Sequence, residues 1–121
     1  MSLDTYKVLH IAGIMLLYFG LGGVLVSSMG TLVSGKAKII GMVGHGLGLI
    51  LILVSGFGML ARLQLMANIP HWVFVKLIIW AVLGLSISAA KRMPSKAWLL
   101  LLIFVALGVT AAHLGISQPA F

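Results

Sequence analysis

The sequence has almost no acidic residues and no cysteine. Asp4 is the only Asp or Glu among 121 residues, and eight Lys or Arg residues give a formal net charge of +7. Without cysteine there are no disulfides, thiolate metal sites or thiol nucleophiles, and without a second acid there are no paired carboxylates. Ser/His/Asp sets, His-x-x-x-His pairs and phosphate-binding glycine loops are also missing. The sequence therefore offers no apparatus for hydrolysis, and any metal must be held by His, Met or oxygen.

Charged side chains make up only 7% of residues, against roughly a quarter in soluble domains. The mean hydropathy is +1.26. The apolar residues form four stretches, at about 6–29, 39–61, 70–90 and 97–117, each close to the ~20 residues that cross a bilayer. Lipid obliges the backbone to satisfy its own hydrogen bonds, so the stretches are predicted to be helices. Short connections predict an all-α fold, an integral membrane up-down four-helix bundle, as a single domain of residues 1–121.

The cations lie between the apolar stretches and predict an orientation. Connections one and three carry Lys36, Lys38, Lys91, Arg92 and Lys96, whereas the opposite side has only Lys7 and Arg62 near its helix ends. By the positive-inside rule the first group is cytoplasmic. We therefore expect a multi-pass protein of a bacterial inner membrane with both termini non-cytoplasmic, and lipid rather than nucleic acid as the partner of its positive charge.

The four histidines fall one on each predicted helix. A polar ring in a lipid-embedded segment needs a partner and is a functional candidate. His10 and His113 both lie near the outer helix ends and can share a depth, so they are the predicted metal ligands. His45 lies alone at a deeper level and is a second candidate, while His71 lies at the outer mouth of helix three. The alternative for each is an ordinary hydrogen-bonded histidine.

Small residues accompany these histidines. Gly13 lies on the helix face of His10, and Thr110 lies on that of His113. Small neighbours leave room for a flat macrocycle between helices, which makes both candidate cofactor-binding residues. Helix two carries Gly41, Gly44 and Gly48 around His45. Those glycines fit either close packing of helices without a cofactor or a homodimer through the glycine face of helix two, which would supply His45 with a ligand from a second chain.

Lys76 is the most informative cation, because it lies inside helix three between Trp72 and Trp80, one turn away on either side. A charge at that depth needs a counter-charge, and the chain has only Asp4 to offer. Lys76, with Arg62 as a second cation, could therefore bind ligand carboxylates such as haem propionates. The alternative is that the long side chain reaches out to the outer headgroups.

The order of these landmarks resembles the SirB-like family of small four-helix membrane proteins and, more distantly, the HemJ-type membrane haem proteins. The resemblance spans most of the chain and rests on Tyr6-Lys-Val-Leu-His10, His45 with the Leu-rich run to Ser55-Gly56, Trp72-Val-Phe-Val-Lys76-Leu, Leu83-Gly84, Ala90-Lys91-Arg92 and Pro119. It implies haem b as the cofactor, with His10 and Lys76 as the positions carried over, and oxidation of protoporphyrinogen as an activity. Family members tend to carry an arginine late in helix one, where this chain has Gly22-Gly23 and Ser27-Ser28.

The preferred hypothesis is a haem b-binding membrane protein with His10 and His113 as axial ligands and Lys76 on a propionate. It leaves open whether the protein oxidises a porphyrinogen or transfers electrons with a redox partner. The runner-up is a non-enzymatic membrane module or complex subunit that binds a lipid, quinone or porphyrin. A third possibility is passage of protons or metal ions by way of the histidines, against which the absence of an embedded acid counts.

Overall fold

The computed structural model describes residues 1–28 and 35–119. Its helices are α1 (Leu3–Ser28), α2 (Gly35–Arg62), α3 (His71–Gly84), α4 (Ser86–Arg92) and α5 (Ala97–Ser117), with one 3₁₀ turn at Pro94–Lys96. Because α3 and α4 follow one another almost without a break, these helices make four segments that are long and apolar enough to cross a membrane. The predicted all-helical chain with four such segments is confirmed for the described residues.

The helix bounds differ from the predicted stretches at the charged ends. Helix α2 begins at Gly35 rather than near residue 39, so Lys36 and Lys38 are part of it. Lysine favours helix, and its long side chain can carry the charge away from apolar surroundings, so charge alone does not end a helix. Two predicted features, the end of helix one at residue 29 and Ser34 of the first connection, lie outside the described residues.

The third apolar stretch is interrupted at Leu85. The Leu85 N–H is shared between the carbonyls three and four residues earlier, at 3.1 and 3.2 Å. Two residues earlier, the Leu83 carbonyl accepts the Ser86 hydroxyl at 2.6 Å and lies 3.1 Å from Nε2 of His45. Side chains that bind a helical carbonyl in this way disturb the regular hydrogen-bond ladder and bend the helix. A hydropathy pattern does not locate this break, because His71–Arg92 as a whole is apolar enough to cross a membrane.

Helices α1 and α2 run antiparallel and touch through glycine backbones. An added Cβ at Gly20 would collide with the Gly41 carbonyl oxygen, and one at Gly48 would lie 2.6 Å from the Gly13 carbonyl oxygen. Residues seven apart lie on the same face of a helix, so each helix presents two glycines to the other. Small residues at such positions let membrane helices pack with their backbones in contact.

The glycine face of α2 is therefore occupied within the chain. For Gly41 and Gly48 this is the alternative in which glycines allow helices to pack closely without a cofactor. Gly44 lies at the edge of the same contact, near the Leu16 carbonyl. A homodimer through this face would have to displace α1, and the contacts give it no support. The face likewise leaves no space for a macrocycle between α1 and α2.

The core is built mainly from α1 and the second half of the chain. Its buried residues are Leu17, Leu21, Leu25, Ile79, Leu83, Ala90, Ala97, Leu100 and Phe104. Many large apolar side chains point outward instead, and Ile116 is 85% exposed. Isolated exposed apolar side chains are normal in soluble proteins, but a whole surface of them is not. The molecule thus has a compact interior and an apolar exterior.

The glycine contact leads to a stability prediction. Substitution Gly20→Ala places a methyl group against the α2 backbone and should lower the free energy of unfolding by about 1–3 kcal/mol. The matched control is Gly46→Ala, inside α2, where an added Cβ meets nothing within 4 Å. Thermal unfolding in detergent, followed by circular dichroism, should show a lower midpoint for Gly20→Ala alone. Equal midpoints for the two variants would contradict the glycine contact.

Candidate functional site

A cavity of about 670 Å³ lies between α1, α2, α3 and α5. It extends from the exposed side chains of Lys7, Leu63 and Gln118, which we term the entrance, inward to Leu17 and Leu83. Its walls are mostly aliphatic and aromatic. Sites for small molecules and cofactors have this character and volumes of roughly 300–1,000 Å³, with a few polar groups that orient the ligand. The polar groups of the lining therefore determine what the cavity can bind.

Two of these polar groups already have partners in the protein. The Tyr18 hydroxyl donates to the Phe104 carbonyl at 2.6 Å, and the indole N–H of Trp80 donates to the Leu49 carbonyl at 3.0 Å. Neither donor is available to a ligand without breaking a hydrogen bond in an apolar setting, which is costly. Both aromatic side chains therefore shape the wall. The groups still available include His10, Lys76 and Lys7.

His10 is held by α2 through one ring nitrogen. Its Nδ1 lies 3.0 Å from the Ser55 Oγ and 3.1 Å from the Ile52 carbonyl oxygen. The carbonyl can only accept, and Ser55 donates its single hydrogen to the Leu51 carbonyl at 2.6 Å. Nδ1 must therefore carry the proton and donate it to these two oxygens. The neutral ring is then the tautomer with an unprotonated Nε2.

The other nitrogen of His10 remains available. Nε2 has no hydrogen-bond partner among the described residues, and it is not sealed in the interior. His10 lines the cavity. A metal-ligating histidine typically donates its second N–H to a carbonyl or another acceptor, which fixes the tautomer and the ring orientation. His10 has this arrangement before any ligand is present.

Lys76 is half-buried on the facing wall. Its Nζ lies 6.0 Å from the centre of the Trp72 ring, and an added Cβ at Gly115 of α5 would lie 2.8 Å from it. It forms no hydrogen bond or ion pair with the described residues. A cation over an indole ring gains about 0.5–2 kcal/mol, depending on desolvation, but the three ammonium hydrogens still need acceptors. Lys76 therefore contributes a positive charge that a ligand anion can neutralise.

His45 has protein atoms within hydrogen-bonding distance of both ring nitrogens. Its Nδ1 lies 3.0 Å from the Leu17 carbonyl oxygen, and Nε2 lies 3.1 Å from the Leu83 carbonyl oxygen and 3.3 Å from the Ser86 hydroxyl. The side chain is only 2% exposed. No ring nitrogen is left for a metal. The structure thus gives His45 the role of tying α2 to α1 and to α3, which is the alternative to metal binding.

The remaining predicted site residues do not reach the cavity. His113 and Thr110 are exposed on α5 and are not among the residues that line the cavity. The Thr110 hydroxyl donates to its own helix, at the Ala106 carbonyl. Gly13 is buried in the α1–α2 contact, and Arg62 is exposed at the end of α2. Of the predicted set, only His10 and Lys76 come together in one cavity.

His71, the remaining histidine, also lies outside the cavity lining. His71 is exposed at the start of α3. Within the described residues, no group of three or more His, Asp or Glu side chains could hold a bare metal ion. A metal centre in this cavity would therefore have to arrive as part of a larger cofactor, with His10 as the ligand from the protein.

Sequence reasoning did not assign Ser55, Tyr18 or Lys7 to the site. Ser55 is a lone hydroxyl in a Leu-rich run of α2, and such a residue is a recognisable candidate for binding between helices. Its pairing with His10 depends on the antiparallel register of α1 and α2, which spacing within one helix cannot reveal. Lys7 is one helical turn before His10, a spacing that places both on one face.

Comparison of the chain with protein-family models, with curated proteins and with solved structures finds no match. The likeness to SirB-like and HemJ-type proteins therefore remains a prediction from the sequence, and the site must be interpreted from its own geometry.

The contacts of His45 predict its effect on stability. Substitution His45→Leu removes the ring that joins Leu17 and Leu83 and leaves a buried hydroxyl, Ser86, with one neighbour fewer. We expect a loss of about 1–3 kcal/mol in the free energy of unfolding. The control is His113→Leu, at an exposed position. Chemical denaturation in detergent should separate the two variants, and an unchanged His45→Leu protein would show that the hydrogen bonds do not hold the helices together.

Proposed function

We propose that this chain is a multi-pass integral membrane protein that binds haem b in the cavity between α1, α2, α3 and α5. Four apolar segments and an apolar exterior support insertion into a bilayer. The distribution of Lys and Arg supports an up-down order with both termini on the non-cytoplasmic side of a bacterial inner membrane. The entrance of the cavity would then lie at the outer face of the membrane.

The observation that carries the proposal is the geometry of His10. Its Nδ1–H donates to Ser55 and Ile52, and its Nε2 has no partner within the described chain. A single histidine of this kind is a sufficient protein ligand for haem, as in globins and peroxidases. The mostly aliphatic and aromatic walls suit the macrocycle, and Lys76 offers its charge to a propionate. The residues present therefore fit the cofactor.

The proposed site uses His10 alone, in place of the predicted pair of His10 and His113. His113 is exposed and is not part of the cavity lining. His10 would then be the one protein residue that holds the iron. Bound haem would supply one-electron redox chemistry. The chain itself would orient the ring through His10, bind an anionic edge through Lys76, and keep water from the inner face with Leu17 and Leu83.

Activity in porphyrinogen oxidation, or in electron transfer to a redox partner, follows from the resemblance to HemJ-type proteins and is part of the same proposal. The second candidate function is a non-enzymatic module that holds a lipid, a quinone or a metal-free porphyrin in this cavity. The aliphatic walls and the lysine at the entrance favour it, because an anionic amphiphile needs no axial ligand. The two candidates differ in whether His10 is required.

A visible spectrum tests the cofactor. The purified protein, reconstituted with haem in mild detergent, should give a b-type reduced-minus-oxidised spectrum. The His10→Ala variant should lose about tenfold or more in haem occupancy, since it removes the only ligand with a free ring nitrogen in the cavity. The control His113→Ala should match the wild type. A wild-type protein that stays colourless would exclude haem, and equal losses in both variants would restore the pair predicted from the sequence.

Reporter fusions test the orientation. A reporter that is active only outside the cytoplasm should be active when fused after Pro119 and inactive when fused after Lys96, because the basic segment from Lys91 to Lys96 is retained in the cytoplasm. The reversed pattern of activities would invert the protein and place the cavity entrance on the cytoplasmic side.

A further inference from the structure

The cavity carries two positive charges and no negative one. Lys7 and Lys76 both line it, whereas Asp4, the only acid in the chain, is exposed and lies outside the lining. Neither lysine has a hydrogen bond or an ion pair among the described residues. Burial of an unpaired charge is unfavourable, which applies to the half-buried Lys76, whereas Lys7 is exposed. A ligand with two negative groups at one edge could neutralise both lysines.

Both ammonium groups lie toward the entrance. Nζ of Lys76 approaches Gly115, which is two residues, or about 3 Å, from the end of α5 at Ser117. Lys7 is itself an exposed residue of the entrance. His10 is three residues further along α1, which places it about 4.5 Å deeper on the same face. The order along the cavity is thus two cations first and the free imidazole nitrogen below them.

Gly115 provides the space that Lys76 occupies. A Cβ at this position would lie 2.8 Å from Nζ, which is closer than van der Waals contact allows. The lysine side chain is flexible, so it could move away without disturbing the fold. It would then leave its place against α5. Gly115 is therefore a positioning residue for the ammonium group and need not contact the ligand.

We infer that Lys7 and Lys76 together select a ligand with two carboxylates at one edge, and that this edge points to the entrance. Each lysine binds one carboxylate, and Gly115 keeps Lys76 in place. The inference rests on the proposed function and deepens it, because haem b carries two propionates on one side of its ring. It also replaces Arg62, the second cation expected from the sequence, which is exposed and outside the lining.

The test compares two ligands that differ only in charge. The full-length protein in detergent is titrated with haem and with the haem dimethyl ester, and the shift of the Soret band gives both affinities. The wild type should bind the diacid about 20- to 50-fold more tightly than the ester, because it makes one half-buried and one exposed charge-assisted contact. His10 should serve both ligands equally.

Three variants divide this preference between the lysines. Lys7→Gln should weaken binding of the diacid about two- to fivefold, as expected for an exposed pair, and leave the ester unchanged. Lys76→Gln should weaken the diacid about tenfold, and Lys7→Arg should bind like the wild type because it keeps the charge. The matched control is Arg62→Gln, which removes one positive charge near the same end of the bundle and should change neither affinity.

The role of Gly115 is tested by the preference for the diacid over the ester, which a purely structural role would not change. Gly115→Ala should lower the diacid affinity toward the value of Lys76→Gln, with the ester affinity and the unfolding midpoint unchanged. Gly46→Ala, at an open position of α2, should behave as the wild type. A Gly115→Ala protein that loses affinity for both ligands alike would show that the helix, and not the lysine, has moved.

The outcomes separate this inference from the proposed function. If haem binds with a shifted Soret band, but the ester binds equally well or Lys7→Gln behaves as Arg62→Gln, the two-carboxylate inference is overturned and haem binding stands. If the wild type shifts the Soret band of neither ligand, both proposals fall. Selectivity for the diacid that disappears only when both lysines are replaced by Gln would support the inference in full.

Discussion

The contact of the α1 and α2 backbones is the constraint on which the rest of the structure depends. Gly20 and Gly41 bring the two helices together at one end, and Gly13 and Gly48 do so two turns away. No residue with a side chain allows this distance. The close approach fixes the antiparallel register, and the register decides which polar groups of one helix meet acceptors on the other. Both embedded histidines owe their partners to it.

His10 and His45 show how the same side chain acquires two different roles. Each has Nδ1 bound to acceptors from a neighbouring helix. The difference lies in the second nitrogen. For His45, the break in α3 brings the Leu83 carbonyl and Ser86 to Nε2, so both ring nitrogens lie against protein atoms. For His10 no such element reaches Nε2 among the described residues, and the ring lines a cavity. Availability of the second nitrogen, and not the type of residue, distinguishes a structural histidine from a candidate ligand.

The sequence was sufficient for the coarse architecture because hydropathy over twenty residues is a strong signal, and four apolar segments follow from it directly. The same reasoning brought His10 and Lys76 forward, since embedded charges and imidazoles are rare enough to stand out. It could not exclude His113 or Thr110 from the site. Residue numbers give the depth of a side chain along a helix, but the side of the helix that faces the cavity depends on which helices are its neighbours. It also missed the pairing of Ser55 with His10, since contacts between helices depend on register.

The unpaired lysines are the feature that the fold alone does not explain. A structural lysine in an apolar segment can extend its side chain toward water, and Lys76, which leans toward the start of α3, could do so. The structure has its Nζ against α5 and over the Trp72 ring, half-buried, in a notch left by a glycine. An apolar side chain at position 76 would pack there without the desolvation of a charge. We propose that this lysine receives its counter-charge from a bound ligand, because no acid of the described residues pairs with it and the imidazole of His10 lines the same cavity.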